Sequence, residues 1–586
     1  MTAALPWASQ RSARPSIVPF VPDDAIRPAA APPPAALVRL APRLPPRVAA
    51  PAPRVVISLV GTNDLHGRIA LLPWLGGHLA NLRSARRADG AVLLVDAGDL
   101  FQGTLASNLT EGAAVVRAYN ALGYAAAAIG NHEFDYGPSG EATFPRAPSD
   151  DPRGALRARA REASFPFLAA NIVEASSGNS LPWDNVSPDL LTTIAGVRVG
   201  LVGVSTEATP TTTLAVNFRG LAMRPLADTV SARAASLRAR GAAVVVVLAH
   251  AGGGCRRFDQ PDDLSTCDAR EEVFELARAL PEGGVDAIVA GHTHRGVAHV
   301  VHGIPVIESF ANGEAFGRVD LTVERGRVTG RQVFPPRGVC GEISREPADP
   351  SRCAPAPYEG APVVADEAVA RIVAGPLADA RAVEERSLGV VVERGMRSRY
   401  QEESALTNLV ADRMLAAAPG ADVALMNSGG VRADLPEGAL DYGELYSVLP
   451  FDNRLVTVRM RGSALRAVLR NNARADDGAL GLAGARVAVT CAGSSMELRV
   501  TRDDGRAVGD DEVLTVATND YLAGGSLSRH LAEPLTDDAI AAAPVMRDAV
   551  AAGLAAVGPL RGDDPRWYDP ARPRVALPHA RPVRCR

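Results

Sequence analysis

The chain has 586 residues, 47% hydrophobic and 22% charged, with a formal net charge of -4. That length exceeds one ordinary core, so two or more domains are expected, and the composition is globular and not that of a disordered chain. So small a charge gives no electrostatic footprint for a nucleic-acid polymer, and the 62 basic residues, all arginine, exclude Schiff-base and P-loop chemistry, which need a lysine.

In chain order, the first twenty residues, "MTAALPWASQRSARPSIVPF", lack the continuous apolar stretch of a secretory signal. Residues 29–53, "AAAPPPAALVRLAPRLPPRVAAPAP", read as an extended Pro/Ala-rich linker, so 1–53 is expected to be a disordered N-terminal segment. From "RVVISLV" to about residue 335, short apolar runs alternate with helical patterns such as "LASNLTEGAAVVRAYNALG". This predicts a layered α/β domain over 54–335. Residues 336–362, rich in Pro, Gly and Cys, read as a connector. A second domain over 363–586 opens with the helix-like "DEAVARIVAGPLADARAVEE". No apolar run reaches transmembrane length.

The six cysteines fall as Cys255 and Cys267 around one polar loop, Cys340 and Cys353 around another, then Cys491 and Cys585. None forms a CxxC pair, which argues against a zinc ribbon or thioredoxin-type motif. A cysteine one residue from the chain end has little to pack against, and a disulfide tying down the tail accounts for it. Disulfides imply an oxidising compartment, so an exported, periplasmic or extracellular location is expected.

Five apolar runs end in groups able to bind metal. "VVISLVGTNDLHG" leads to Asp64 and His66, "AVLLVDAGD" to Asp99, and "AAAAIGNHE" to Asn131 and His132. "AAVVVVLAH" ends in His250, and "VDAIVAGHTH" in His292 and His294. Near-continuous apolar runs suit strands buried on both faces, and open α/β sheets build their sites at the carboxyl ends of such strands. One Asp or His after a strand is most often a turn former, but five in succession need a common cause. The donors are oxygens and imidazoles without a thiolate, a set that suits zinc, manganese or iron. So many ligands are too many for one ion. They suit two divalent ions sharing a carboxylate, about 3.5–4 Å apart, which can hold a hydroxide for attack on phosphorus.

"TNDLHG", "DAGDLFQGT", "GNHEFDYG", "LAHAGGG" and "GHTH" resemble the successive motif blocks of the calcineurin-like metallophosphoesterases, with the spacing of the 5'-nucleotidase / UDP-sugar hydrolase branch. The resemblance covers roughly 55–335 and continues into the second domain. It implies an α/β fold, a layered αββα sandwich followed by an α+β substrate-binding domain. By the same resemblance, Asp64, His66 and His294 would hold one metal, Asn131, His250 and His292 the other, and Asp99 would bridge. His132 would contact the phosphoryl group, with Asp135 fixing its tautomer. Glu133 is left as structural.

"NSGGVR" resembles the family's substrate block, with Arg432 on phosphate. "VLPFDN" does so too, with Phe451 stacking on a base and Asn453 bonding its edge. Arg399 resembles a further phosphate-contacting arginine, and Tyr521 the second face of an aromatic clamp. In "TNDYLAGGSLSR", Ser526 stands where the family carries a ribose-binding aspartate, a departure that bears on nucleoside specificity. The expected function is thus a two-metal phosphohydrolase that releases phosphate from 5'-nucleotides by attack of a metal-bridged hydroxide. A UDP-sugar pyrophosphatase and a 2',3'-cyclic nucleotide phosphodiesterase are alternatives on the same centre. A sulfur-ester hydrolase and a non-catalytic nucleotide-binding protein are further alternatives. The partner expected is a small nucleotide or phosphoester.

Overall fold

Runs of Val, Leu, Ile and Ala with few polar side chains form strands only where both faces are covered, and the first half of the chain supplies two sheets to cover each other. The computed structural model describes residues 54–140, 144–147, 149–343, 349–476 and 478–585; the segment 1–53, expected to be disordered, lies outside the described residues. Strands β1 (Val55–Thr62), β2 (Gly90–Asp96) and β3 (Ala126–Ala128) run parallel in a seven-stranded sheet. Its antiparallel edge is Ala315–Glu324 followed by Arg327–Gly338. Strands β4 (Val244–His250) and β5 (Ala287–Ala290) are parallel neighbours in a six-stranded sheet.

Ile57, Leu59 and Val95 of the first sheet share a buried cluster with Val199, Val246, Leu248 and Val289 of the second. Helices cover the outer faces: Leu72–Ala85 and Ala113–Leu122 on one side, Leu226–Ala239 and Glu272–Ala279 on the other. This is the expected αββα sandwich.

The second half is α+β, as expected, around a four-stranded sheet ordered Leu455–Arg461, Val513–Asn519, Val423–Asn427, Leu480–Ala483. Side chains alternate across a strand. Accordingly Ala424 and Met426 pack with the helix Ala405–Ala417, while Val423 and Leu425 pack with Gly462–Arg474. The helix Glu367–Glu384 starts where the Asp366 side chain accepts hydrogen bonds from the backbone N–H groups of Ala368 and Val369, the usual N-terminal cap. The sequence reading opens the second domain with this helix, yet its Val369, Val373 and Ala380 share the core of the first sandwich. Tyr442 and Tyr446 join that same cluster. Gln102 Nε2 donates to Pro450 O at 2.9 Å, and Tyr521 OH donates to Thr211 O at 2.8 Å, so the two halves are also bonded near the strand ends.

All six cysteines are paired, as Cys255–Cys267, Cys340–Cys353 and Cys491–Cys585. The last joins residues 94 apart in sequence and holds the chain end to the strand Ala485–Ala492. Alkylation of unfolded but unreduced protein should therefore label no cysteine. The double variant Cys491→Ser/Cys585→Ser should lower the urea stability of the second domain by about 2–4 kcal/mol, the usual effect of losing a long-loop crosslink. An unchanged midpoint would mean that packing alone holds the tail.

Candidate metal centre and substrate cleft

The five strand ends converge. β1, β2 and β3 deliver Asp64, His66, Asp99, Asn131 and His132 from one sheet, and β4 and β5 deliver His250, His292 and His294 from the other. Asp64, His66 and His294 have ligand atoms within 4.8 Å of one another, and so do Asp99, His250 and His292. One carboxylate oxygen faces both groups: Asp99 Oδ2 lies 3.1 Å from His250 Nε2 and 3.9 Å from His66 Nε2. Asn131 Oδ1 is 3.0 Å from His250 Nε2. The seven residues expected to hold metal are thus brought together.

Close approach requires small residues between the donors. A Cβ on Gly130 would lie 2.2 Å from Asp99 Oδ1, and one on Gly291 would lie 2.9 Å from Asp64 Oδ2, so the glycines of "GNHE" and "GHTH" are steric necessities. The loops are also strained. Asp64, His66, Asp99, His292 and His294 have φ of 49°, 48°, 59°, 87° and 58°, a region costly for residues with a Cβ and typical of functional sites.

Several bonds orient the donors. His66 Nδ1 lies 2.9 Å from Gln102 O and His250 Nδ1 lies 3.0 Å from Ala97 O. A carbonyl only accepts, so each Nδ1 carries a proton and each Nε2 faces the centre. Glu133 proves to be the clamp of the site. Its buried carboxylate accepts from the backbone N–H groups of Asp99 (2.9 Å), Leu100 (2.6 Å) and Gly130 (2.7 Å), joining the loop of Asp99 to that of Asn131. Burial and the Asp99 charge push it up to about 8. A Glu two residues after a predicted ligand was the available signal.

The donor chemistry fits divalent cations. Asp64 Oδ1 is buried without a hydrogen bond, with His294 Nε2 at 3.4 Å. Burial, and then the neighbouring His250, hold His292 down to about 4, a neutral ring able to coordinate. His66 is likewise held well below its usual value by burial and by His294. At His250 burial works against the charged form, but the Asp99 carboxylate overcomes it and raises the imidazole to about 10. The buried carboxylates thus draw positive charge into the centre, as a cation site must.

His132 and Asp135 form a pair beside these donors, with Nδ1 2.6 Å from Asp135 Oδ2. Burial opposes the His132 imidazolium, but the Asp135 and Asp99 carboxylates outweigh it and raise its pKa. The second half of the chain faces this pair across a cleft of about 790 Å³. The Phe451 ring stacks near His132, centroids 5.5 Å apart and planes at 27°. Arg432, Asn453 and Tyr521 line the same cleft, and the Arg432 guanidinium lies 5.9 Å from the Phe451 ring.

Arg399 does not join them. Its guanidinium bonds Glu402 Oε2 at 2.9 Å, both side chains more than half exposed, while the next residue, Tyr400, lines the cleft. Arg399 is absent from the cleft lining, so its placement does not meet the expectation. Tyr400, Asp268, Glu271 and Asp476 also line the cleft, and the sequence reading singled out none of them. Of these, Tyr400 adjoins Arg399, and Asn427 in the lining opens the quoted block "NSGGVR". Ser526 is exposed and outside the cleft lining.

Comparisons with known proteins agree with this construction. Residues 57–296 match the family model for the calcineurin-like phosphoesterase, and 383–533 that for the 5'-nucleotidase C-terminal domain. The chain is 26% identical over 468 residues to Protein UshA of Yersinia enterocolitica, covering 72% of this chain and 78% of that one. It is 25% identical over 443 residues to Endonuclease YhcR of Bacillus subtilis, covering 72% of this chain but spanning only 33% of that protein's length. Among solved structures, the 5'-nucleotidase precursor of Thermus thermophilus superposes with a TM-score of 0.67 at 22% identity, covering 89% of this chain and all of that one; it shares the fold. Two matched regions in this order, built around convergent metal donors, place the chain in the family that joins a calcineurin-like phosphoesterase domain to a 5'-nucleotidase C-terminal domain.

Proposed function

We propose that the protein is an exported two-metal phosphohydrolase that releases phosphate from 5'-nucleotides. The observation that carries this reading is the stacking of Phe451 on His132, which sets an aromatic base platform beside the metal donors. Asp64, His66 and His294 would hold one divalent ion, zinc, manganese or iron. Asn131, His250 and His292 would hold a second, and Asp99 would be shared. When bound, such ions would make water more acidic and neutralise phosphoryl charge.

The chain's own groups do the rest. His132, bonded to Asp135 through Nδ1, would present Nε2 as a donor to a phosphoryl oxygen, and the neighbouring carboxylates favour its charged form. Arg432 adds a second cation. Phe451 and Tyr521 would hold the base between them, with Asn453 at its edge. Export is supported by three disulfides, and no helix of the described residues is long and apolar enough to cross a membrane. A nucleotide sugar is the second reading. The cleft also exposes Asp268, Glu271 and Asp476, acceptors suited to sugar hydroxyls.

Phosphate release from AMP by metal-stripped protein should return with Mn²⁺ or Zn²⁺ and fall about 10²–10⁴-fold in kcat in His132→Ala. With UDP-glucose, release of UMP is followed in parallel. No turnover of any nucleotide by the metal-restored protein would overturn the proposal. Loss of the aromatic platform should act on binding: Phe451→Ala should raise KM for AMP about 10–100-fold, as expected for base stacking, and leave a simple aliphatic phosphoester unaffected. Glu133→Gln should weaken metal binding about 10–100-fold in a direct titration, because supporting groups tune affinity to that extent. Unchanged affinity would mean that the backbone holds both loops without it.

A further inference from the structure

A second, smaller cavity of about 190 Å³ adjoins the cleft, with which it shares His294, Tyr400, Gly429 and Arg432, and His66 also lines it. One liquid water takes about 30 Å³, so the space exceeds a solvent site. Its remaining polar lining differs sharply from that of the large cleft. Arg68, Arg432, Asn312, Gln102 and Ser447 contribute to it, and no carboxylate does, whereas the large cleft is lined by Asp99, Asp135, Asp268, Glu271 and Asp476.

The two guanidiniums are also unspent. Arg68 Nε donates to Asn312 Oδ1 at 3.0 Å, which fixes the plane of the group while its terminal nitrogens form no ion pair among the described residues. Arg432 likewise forms none, and its backbone N–H is bonded to Val448 O at 2.9 Å. Arg318 and Arg547, by contrast, are ion-paired with Asp320 and Asp452. The Glu314 carboxylate acts on Arg68 from beyond ion-pair distance, and a guanidinium fixed in plane with its terminal nitrogens outside any ion pair matches a tetrahedral oxyanion in shape and charge.

We propose that this cavity is a second oxyanion subsite, which binds a phosphate dianion beside the phosphoryl group held at the metal donors. The inference rests on the proposed phosphohydrolase reading and extends it. Two sources carry the same chemistry: inorganic phosphate, the product of that reaction, and the second phosphoryl group of a diphosphate-bearing substrate. Arg432, which lines both cavities, would touch both groups, and Arg68 only the second.

Calorimetry on the manganese-loaded protein tests this with methylphosphonate, which has one phosphonate, and methylenediphosphonate, which has two on one carbon. Metal content is measured before and after to exclude chelation. The diphosphonate should bind about 10–100-fold more tightly, the range for one or two charge-assisted hydrogen bonds. Arg68→Gln should abolish most of that ratio with metal content retained. Asn312→Ala, which releases the guanidinium without removing it, should give an intermediate ratio.

Inorganic phosphate separates the sources. Two ions bound per chain would mean that free phosphate fills the cavity, and one would leave the second phosphoryl group of a diphosphate as its occupant. Equal affinity for the two phosphonates, or a ratio unchanged in both variants, would overturn the subsite. AMP turnover by the same preparation keeps the failures apart. Turnover with equal affinities removes the subsite alone, while no turnover with metal bound removes the phosphohydrolase reading itself.

Discussion

Two carboxylates, Asp64 and Asp99, sit almost wholly out of water, at 0% and 1% exposure, and the arrangement of the first half of the chain answers to them. Burying an isolated carboxylate costs several kcal/mol even after relaxation, so each must be met by donors or cations from every side. Asp64 Oδ2 accepts from Asn63 Nδ2 at 2.7 Å and from the His292 backbone N–H at 2.8 Å. Asp99 Oδ1 accepts from the His132 backbone N–H at 2.8 Å, and Oδ2 faces His250. These partners come from both sheets. Burial of the two carboxylates therefore depends on both sheets of the sandwich at once.

That demand explains why the loops at the strand ends are strained and glycine-punctuated while the strands are ordinary. Positive φ at five donor positions lets side chains from adjacent strands turn inward to a common point. The close-packed layer between the sheets, with Leu59, Val246 and Val289 fully or almost fully buried, leaves the loops little room to relax. Glu133 completes the restraint by binding two loops through three backbone N–H groups. Strain of this kind persists only where surrounding structure over-determines it.

Among the described residues the second half adds nothing to the two candidate metal groups, and it completes the cleft by facing them. Phe451 reaches His132, Gln102 reaches Pro450, and Tyr521 reaches Thr211. Phe451, Tyr521 and Arg432 at the cleft thus belong to one half and the candidate metal donors to the other. Chemistry and recognition are separable in the sequence but share one cleft in the fold. Arg68 and Arg432, which line one cavity beside the donors, come from different halves as well.

The donor set was legible because each ligand follows an apolar run, and buried parallel strands can end in only one place, the carboxyl edge of the sheet. Chain order and residue chemistry gave a layered α/β domain and the strand-end donors, while the αββα arrangement and the pairing of His132 with Asp135 came from the family resemblance. The cysteine spacing suggested disulfides but left their connectivity open, and the structure supplies it. Tertiary structure decided what depends on direction. Arg399 and Tyr400 are adjacent, and only the backbone path shows that the tyrosine faces the cleft. Glu133 looked structural, yet its oxygens lie where two distant loops meet. The helix Glu367–Glu384 reads as part of the second domain but packs on the first, because an amphipathic helix declares that it has an apolar face and not which core will receive it. Local pattern specifies what a residue can do; which partner it meets is set by contacts far apart in the chain.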